Sequence, residues 1–170
     1  TVTGVQTCAL PIFDELAEEH PRRAGSPFYA NVRADLVDEQ VVSSLKRGGC
    51  VSVAMGIETG NPRLRNEILM RDLDDERIIE AARLIRSAGI RLLTFNILAL
   101  PGGTVENDVE TLDLNIRAGV DYPSVSFMIP FPKTRMYEIA NERGALPGGD
   151  IDFDRGYYQE PILKVSHPEK

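Results

Sequence analysis

The chain has few of the residues on which several common protein classes depend. Its 170 residues include two cysteines, two histidines and no tryptophan. Two cysteines are too few for the disulfide framework of a small secreted protein. The two histidines, His20 and His167, lie too far apart in sequence to show metal-ligand spacing. Because no secretory signal peptide is visible either, we expect a cytoplasmic protein.

Basic charge and long apolar runs are also scarce. Nineteen lysines and arginines stand against 26 aspartates and glutamates, which gives a net charge of -7. A nucleic-acid surface needs a basic face, so we expect no nucleic-acid partner. The longest apolar run, around Ile97 to Pro101, is far shorter than the roughly 20 residues that cross a bilayer, so no membrane span is predicted. The remaining composition, 42% apolar and 26% charged, is typical of one soluble globular domain.

The first twelve residues, TVTGVQTCALPI, differ from the rest of the chain. They carry no charge and show no clear helix or strand period. A common short-read sequencing adapter translates, codon by codon, to VTGVQTCALPI, which matches Val2 to Ile12 without a mismatch. We therefore interpret residues 1–12, including Cys8, as an adapter artefact of sequence assembly and expect native sequence to begin near Phe13.

Beyond Phe13 the hydrophobic pattern alternates between the strand and the helix period. In the helix predicted to begin at Asp74, Ile78, Ala82 and Ile85 share one face, and an apolar stripe of this kind normally faces the core. In the helix predicted after Thr104, a corresponding stripe is formed by Val109, Leu112 and Ile116. The predicted strands are 28–33, 51–57, 90–100 and 122–129, and the predicted helices are 13–20 (the tail of a longer helix), 38–47, 74–88, 104–119 and 134–143.

Strands that alternate with helices in this way predict an α/β fold with right-handed βαβ units and a parallel sheet. A (βα) barrel, whole or partial, is favoured over a doubly wound sheet, because no glycine-rich phosphate motif follows the first strand. Residues 145–170 are richer in glycine, proline and charge, and we expect them to form a C-terminal extension rather than a second domain.

Polar residues follow the predicted strands where such folds bind their ligands. Glu58 ends the buried run Val51 to Ile57, and an acid in that place is expected to face a ligand pocket. The arginines of the next turn, Arg63 and Arg65, can bind a ligand carboxylate or pair with Glu58. The other strand ends contribute Asn31 and Arg33, Asn96 with the LPGGT turn, and the segment PFPKT.

Three segments in this order resemble the radical S-adenosylmethionine catalytic domain. They are NVRADLVDEQVVSSLKRGGCVSVAMGIETGNPRLRNEILMRDL, RLIRSAGIRLLTFNILALPGGT and SFMIPFPKTRMYE. The resemblance covers residues 13–144 and is strongest to family members that carry a cobalamin-binding domain. It implies a partial (βα) barrel of six units, of which these residues would supply the third to the sixth.

The resemblance also implies a set of residues that bind S-adenosylmethionine. Glu58 would hold its methionyl amino group or its ribose, and Arg65 would bind its carboxylate. The nucleoside would lie beside Asn96, Ile97 and Ala99, with the backbone of Ile129 and Pro130 along the adenine. Two positions depart from the family pattern, because Ala99 replaces a usual glycine and Gly103 replaces a usual glutamate.

The family's 4Fe-4S cluster is held by a CxxxCxxC motif in the first unit, and this motif is absent from the chain. The resemblance therefore implies a fragment that is inactive as it stands. The whole enzyme would cleave S-adenosylmethionine reductively at the cluster to start radical chemistry on a small-molecule or unknown substrate. It would take electrons from a donor such as flavodoxin or ferredoxin, and a missing N-terminal domain would bind cobalamin.

Two alternatives from other function classes stay open. One is a cluster-free (βα)-barrel lyase or aldolase in which Glu58 is the general base and Arg33 binds an anion. The other is a non-catalytic binding scaffold that retains the sheet without the cluster.

Overall fold

The computed structural model describes residues 3–148, 151–152 and 160–164, with side chains from Ile12 onward. Helices and strands alternate through this part of the chain, as the hydrophobic pattern predicts. In chain order they are α1 (Thr3–Arg23), β1 (Phe28–Val32), α2 (Glu39–Arg47), β2 (Cys50–Glu58), α3 (Asp75–Ser87), β3 (Arg91–Leu98), α4 (Val105–Ala118), β4 (Tyr122–Phe127) and α5 (Arg135–Glu142). A 3-10 turn at Ala34–Leu36 and a π-helical turn at Leu64–Ile68 lie in the loops after β1 and β2.

The four strands form one parallel sheet in the order β1-β2-β3-β4. One row across it joins Asn31, Ala54, Leu93 and Tyr122, so these side chains share a face of the sheet. Consecutive strands that are parallel neighbours require crossovers, which α2, α3 and α4 supply. The predicted parallel α/β arrangement is confirmed.

The helix starts follow the capping residues that the sequence contains. The Asp38 carboxylate accepts a hydrogen bond from the Val41 amide at 2.8 Å, and the Asp74 carboxylate accepts one from the Arg77 amide at 2.7 Å. Side-chain oxygens in these places satisfy amides that have no partner within the helix. Gly119 ends α4 in the left-handed conformation, with φ of 65°, which glycine adopts without a steric penalty.

The hydrophobic core lies between the sheet and the helices α2 and α3. Ile78, Ala82 and Ile85 of α3 are fully buried there, as their spacing predicts. They pack against β-strand residues that point to the same side, among them Val53, Met55, Ile57 and Leu92.

Helix α4 presents the opposite face to the sheet. Val109, Leu112 and Ile116, the apolar stripe expected to face the core, are exposed, whereas Thr111 and Asn115 are buried. That expectation was wrong because the sheet opposite α4 carries buried polar groups. Unpartnered polar groups are costly to bury, so a polar helix face packs there.

The two ends of the chain bear on the predicted boundaries. Residues 13–20 belong to α1, which confirms the predicted helix, and α1 begins at Thr3, in a segment where no helix period was seen. Because backbone conformation does not report the origin of a coding sequence, the adapter interpretation stays a prediction. Of the predicted C-terminal extension, Leu163 packs against Ala140 and Ala145, and residues 149–150, 153–159 and 165–170 lie outside the described residues.

None of the helices in the described ranges combines the length and apolarity that a membrane crossing requires.

Candidate functional site

A cleft opens at the carboxyl ends of β1, β2 and β3, where ligands bind in folds of this kind. Its cavity measures about 210 Å³. Each strand supplies side chains to it, and the loop after the π-helical turn closes one side. The lining residues that carry or shape charge are Asn31, Arg33, Asp35, Gly56, Glu58 and Arg71, and Phe95 adds an aromatic wall.

Glu58 lies in this cleft, as the sequence predicts. Its backbone turns into the left-handed region, with φ of 67°, at the last residue of β2. The pairing of β2 with β3 is irregular between Gly56 and Glu58, so the strand bends where the carboxylate emerges. A Cβ at Gly56 would contact the Glu58 carboxylate, so the carboxylate would have to move to make room for it.

The Glu58 carboxylate pairs with Arg71, which the sequence reasoning missed. The flanking residues Met70 and Asp72 both have positive φ, 54° and 48°, although neither is glycine. Left-handed backbone costs about 1–2 kcal/mol at each such residue, and strain of this kind is common at functional sites. Burial, and then the nearby charge of Arg33, lower the pKa of Arg71 from its ordinary value. This loop shows no helix or strand period from which its course could be predicted. The sequence offered only the presence of an arginine in the loop that follows a predicted ligand-binding carboxylate.

A second ion pair lies at the mouth of the cleft. Arg33 donates from Nε and Nη2 to the two carboxylate oxygens of Asp35, each at 3.0 Å. Burial raises the pKa of Asp35, and pairing with Arg33 lowers it by more, so the net direction is down. Both cationic side chains of the cleft, Arg33 and Arg71, are thus engaged by acids.

Arg65 is not in the cleft. Its side chain is completely buried and donates from Nη2 to the Asp75 carboxylate at 2.5 Å. Arg65 therefore pairs with Asp75 rather than with Glu58, and its assignment to a ligand carboxylate stays a prediction. The reason is local, because the π-helical turn directs Arg65 inward towards the start of α3. Arg63 points elsewhere too, donating to the Gly102 carbonyl at 3.0 Å.

Asn96 also faces away from the cleft. It is 2% exposed and lies on the side of β3 that α4 covers. Its Oδ1 accepts from Asn115 Nδ2 at 2.8 Å, and its Nδ2 donates to the Ser124 carbonyl at 3.1 Å. The amide is therefore satisfied within the protein, away from the cleft that Glu58 lines, and its place beside a nucleoside stays a prediction.

The remaining predicted residues follow β3 and β4 at the same edge of the sheet. Ile97 packs beside Leu64 and Leu100. Ala99 is buried and has φ of 57°, a conformation that suits the glycine usually found there. Ile129 and Pro130 are both buried, in the turn after β4.

Metal-binding groups are scarce in the described part of the chain. No cluster of three or more histidine, cysteine, aspartate or glutamate side chains there could hold a metal ion. Cys50 is buried and donates its thiol to the Ser52 carbonyl at 3.2 Å. Burial raises the pKa of this thiol, which disfavours the thiolate that an iron–sulfur cluster requires.

Sequence and structure comparisons give one consistent answer. The sequence model of the Radical SAM superfamily matches residues 1–115. An uncharacterized methyltransferase of Pyrococcus horikoshii is 26% identical over 138 residues, which are 81% of this chain and 29% of the relative.

Two solved structures share the fold. TsrM from Kitasatospora setae, a radical S-adenosylmethionine methyltransferase with cobalamin and a [4Fe-4S] cluster bound, has a TM-score of 0.67 at 21% identity. The match covers 80% of this chain and 26% of TsrM. Coproporphyrinogen III oxidase (HemN) of Escherichia coli, also a radical SAM enzyme, has a TM-score of 0.59 at 19% identity, covering 82% of this chain and 41% of HemN. The chain thus spans less than a third of the methyltransferase relative and of TsrM, and its sheet corresponds to part of the TsrM fold.

Proposed function

Because the chain belongs to the radical S-adenosylmethionine superfamily of enzymes, we propose that its cleft binds the methionyl group of S-adenosylmethionine through Glu58 and Arg71. The observation that carries the proposal is the ion pair between these two side chains, in which Glu58 has left-handed backbone and Arg71 lies between two residues that have it. An amino-acid zwitterion bears one ammonium and one carboxylate on a single carbon. It can insert between the pair, giving its ammonium to Glu58 and its carboxylate to Arg71.

This assignment moves the carboxylate contact from Arg65 to Arg71. Arg65 is enclosed and pairs with Asp75, whereas Arg71 lines the cavity. Arginine suits the role because its planar guanidinium can bind both oxygens of a carboxylate. For the nucleoside, we retain Ile97, Ala99, Ile129 and Pro130 as proposed contacts and omit the side chain of Asn96.

The residues of this chain do not suffice to bind a 4Fe-4S cluster. When bound, a reduced 4Fe-4S cluster supplies the electron that cleaves S-adenosylmethionine to a 5'-deoxyadenosyl radical. Three thiolates are needed for it, and the whole sequence contains two cysteines. We therefore propose that the chain binds S-adenosylmethionine without cleaving it. The complete protein would receive electrons from a flavodoxin or ferredoxin, and cobalamin and substrate would bind in other parts of it.

Calorimetric titration tests the binding site directly. The ligands are S-adenosylhomocysteine, which keeps the amino and carboxylate groups, and 5'-methylthioadenosine, which lacks both. Wild type should bind the first more tightly. Arg71→Gln should weaken that binding by about tenfold or more, because a charge-assisted contact contributes about 1.5–3 kcal/mol. Binding of 5'-methylthioadenosine should change little.

The matched control is Arg83→Gln, which removes an arginine that is paired with Glu80 on the exposed surface of α3. It should leave both affinities unchanged. Equal loss from the two variants, or equal affinity of wild type for the two ligands, would contradict the assignment of Glu58 and Arg71 to the methionyl group.

A further inference from the structure

We propose that Thr111, on the buried face of α4, is a positioning residue that sets the direction of the Glu58 carboxylate. The proposal rests on the proposed function, in which Glu58 binds the methionyl ammonium. Thr111 does not line that cleft and would act entirely through the segment Thr59-Gly60-Asn61 that follows Glu58.

The contacts of Thr111 carry the first step. Its hydroxyl accepts a hydrogen bond from the Gly60 amide at 2.9 Å and donates one to the Asn107 carbonyl at 3.2 Å. The Thr59 hydroxyl lies 3.4 Å from the Thr111 hydroxyl oxygen. Thr111 and Thr59 are both buried, so water does not compete for these groups. One hydroxyl thus joins the loop after β2 to the backbone of α4.

The approach of the loop to α4 is unusually close at Gly60. A Cβ at this position would collide with the carbonyl of Glu110 and with the backbone nitrogen of Thr111. Glycine is therefore required by space, because the loop backbone lies directly on the helix backbone. Outside this contact, Asn61 Nδ2 donates to the Glu110 carboxylate at 2.6 Å. Three consecutive residues of the loop are in this way fixed to one turn of α4.

The fixed segment begins immediately after the strained residue. Glu58 has left-handed backbone, and the Thr59 amide then bonds the Ile57 carbonyl at 2.9 Å in a tight turn. A non-glycine residue leaves this conformation unless its surroundings hold it. The contact at Gly60 is two residues further along, so it restrains the backbone torsions that direct the Glu58 side chain towards Arg71.

The same face of α4 also reaches the loop after β3. The Asp108 carboxylate accepts from the Ala99 amide, with both oxygens at 3.3 Å, and Ala99 too has left-handed backbone. Asp108 and Thr111 are three residues apart and so lie on one face of the helix. Helix α4 is therefore hydrogen-bonded to the loops after two strands that border the proposed cofactor site. Of its side chains in these contacts, Thr111 is the one that bonds to the segment directly after Glu58.

The test removes the hydroxyl and keeps the shape. Thr111→Val deletes the partner of the Gly60 amide, and Thr111→Ser keeps that partner while deleting a methyl group. Affinity for S-adenosylhomocysteine should fall about tenfold in Thr111→Val, which corresponds to 1.4 kcal/mol, and should stay close to wild type in Thr111→Ser. Equal affinity of wild type and Thr111→Val would overturn the proposal.

A double-mutant cycle separates positioning from general loss of structure. In a Glu58→Ala background, adding Thr111→Val should produce no further loss of affinity, because the side chain that it positions is already gone. A full additional tenfold loss would show that Thr111 acts on folding rather than through Glu58. If Thr111→Val does not fold, Gly60→Ala moves the loop away from α4 by steric contact, and the same cycle applies to it.

A measurement without ligand keeps this proposal separate from the proposed function. If wild type binds no S-adenosylhomocysteine, the proposed function fails, and amide hydrogen exchange decides the role of Thr111. Exchange at Thr59, Gly60 and Asn61 should then accelerate in Thr111→Val while exchange in α3 is unchanged. Unchanged exchange at these three amides would overturn the positioning role.

Discussion

Helices α3 and α4 are neighbours outside the same sheet, yet they bury opposite kinds of face. In α3 the buried side chains are apolar, and Ile78 and Ile85 are inaccessible to solvent. In α4 the buried polar residues Thr111 and Asn115 lie beside Leu114 and Ala118, while the apolar stripe containing Ile116 is exposed. The difference teaches that α3 is held chiefly by hydrophobic burial, whereas α4 is also held by hydrogen bonds that connect it to the strand ends.

The sheet explains why the two helices differ. The side chains of Thr94 and Asn96 point from β3 towards α4, whereas α3 packs against apolar side chains of the sheet. Asn115 satisfies both, accepting from Thr94 Oγ1 at 2.6 Å and donating to Asn96 Oδ1 at 2.8 Å. A fully connected buried network of this kind fixes one arrangement of its members, because any other arrangement leaves a polar group without a partner.

The largest expected effect comes from truncating an isoleucine in each helix. Ile85→Ala in α3 should lower the free energy of unfolding by about 3 kcal/mol, because it leaves a cavity in the core. Ile116→Ala in α4 should change it by less than about 0.5 kcal/mol, since that side chain is 68% exposed. Urea unfolding of both variants measures the two values. Equal losses would break the comparison and would mean that the apolar stripe of α4 is covered in solution.

An exchange of polarity should have the next largest effect. Asn115→Leu puts an apolar residue where hydrophobic patterning alone would favour one, yet it should destabilise the protein by about 2 kcal/mol, because Thr94 and Asn96 each lose a partner. The adjacent variant Ile116→Asn should stay within about 1 kcal/mol of wild type. Greater stability of Asn115→Leu would show that burying leucine outweighs the network.

These helices also show how far the sequence could predict the molecule. The alternation of strands and helices and the buried face of α3 follow from local patterns, and both were predicted. The inward face of α4 depends on polar residues of β3, which lie about 20 positions earlier and reveal their partners only after folding. Apolar periodicity alone therefore selected the wrong face.

The site divides along the same line. Glu58 was predictable because it ends a buried strand, and parallel strands bring their ends together. Arg65 and Asn96 were expected near the cleft from their places at the strand ends and from the family resemblance, whereas their side chains face Asp75 and Asn115. Arg71 was missed because its loop has no regular period. It reaches Glu58 through left-handed backbone at Met70 and Asp72, which cannot be predicted from residues other than glycine.

A smaller effect is expected where α4 meets the end of β3. Ala99 adopts left-handed backbone, so Ala99→Gly should raise the free energy of unfolding by about 0.5 kcal/mol. Removal of the backbone strain stabilises the folded state, and the greater conformational entropy of glycine in the unfolded chain offsets part of that gain. The control in α3, Ala82→Gly, should lower it by about 1 kcal/mol, because glycine weakens a helix interior. Urea midpoints measure both. A loss in both variants would mean that the Ala99 turn is not strained.

The smallest effect concerns Asp108, the acid that α4 buries beneath that turn. Burial raises its pKa above the ordinary aspartate value, and the bond from the Ala99 amide offsets only part of this. Between its unfolded and folded pKa values the native state therefore binds more protons, so its contribution to the free energy of unfolding falls as pH rises through that window. Asp108→Asn lacks this titration.

Wild type should accordingly lose stability relative to Asp108→Asn as pH rises from about 3 towards neutrality, in urea titrations at matched ionic strength. Subtracting the variant isolates this contribution from that of the paired carboxylates Asp14 and Asp35. Their pKa values are lowered, so their contribution to the free energy of unfolding rises with pH. A constant difference would mean that the Ala99 amide balances the cost of burial. Burial of Asp108 would then carry no net electrostatic cost, and the hydrogen bonds of α4 to the strand ends would still distinguish it from α3.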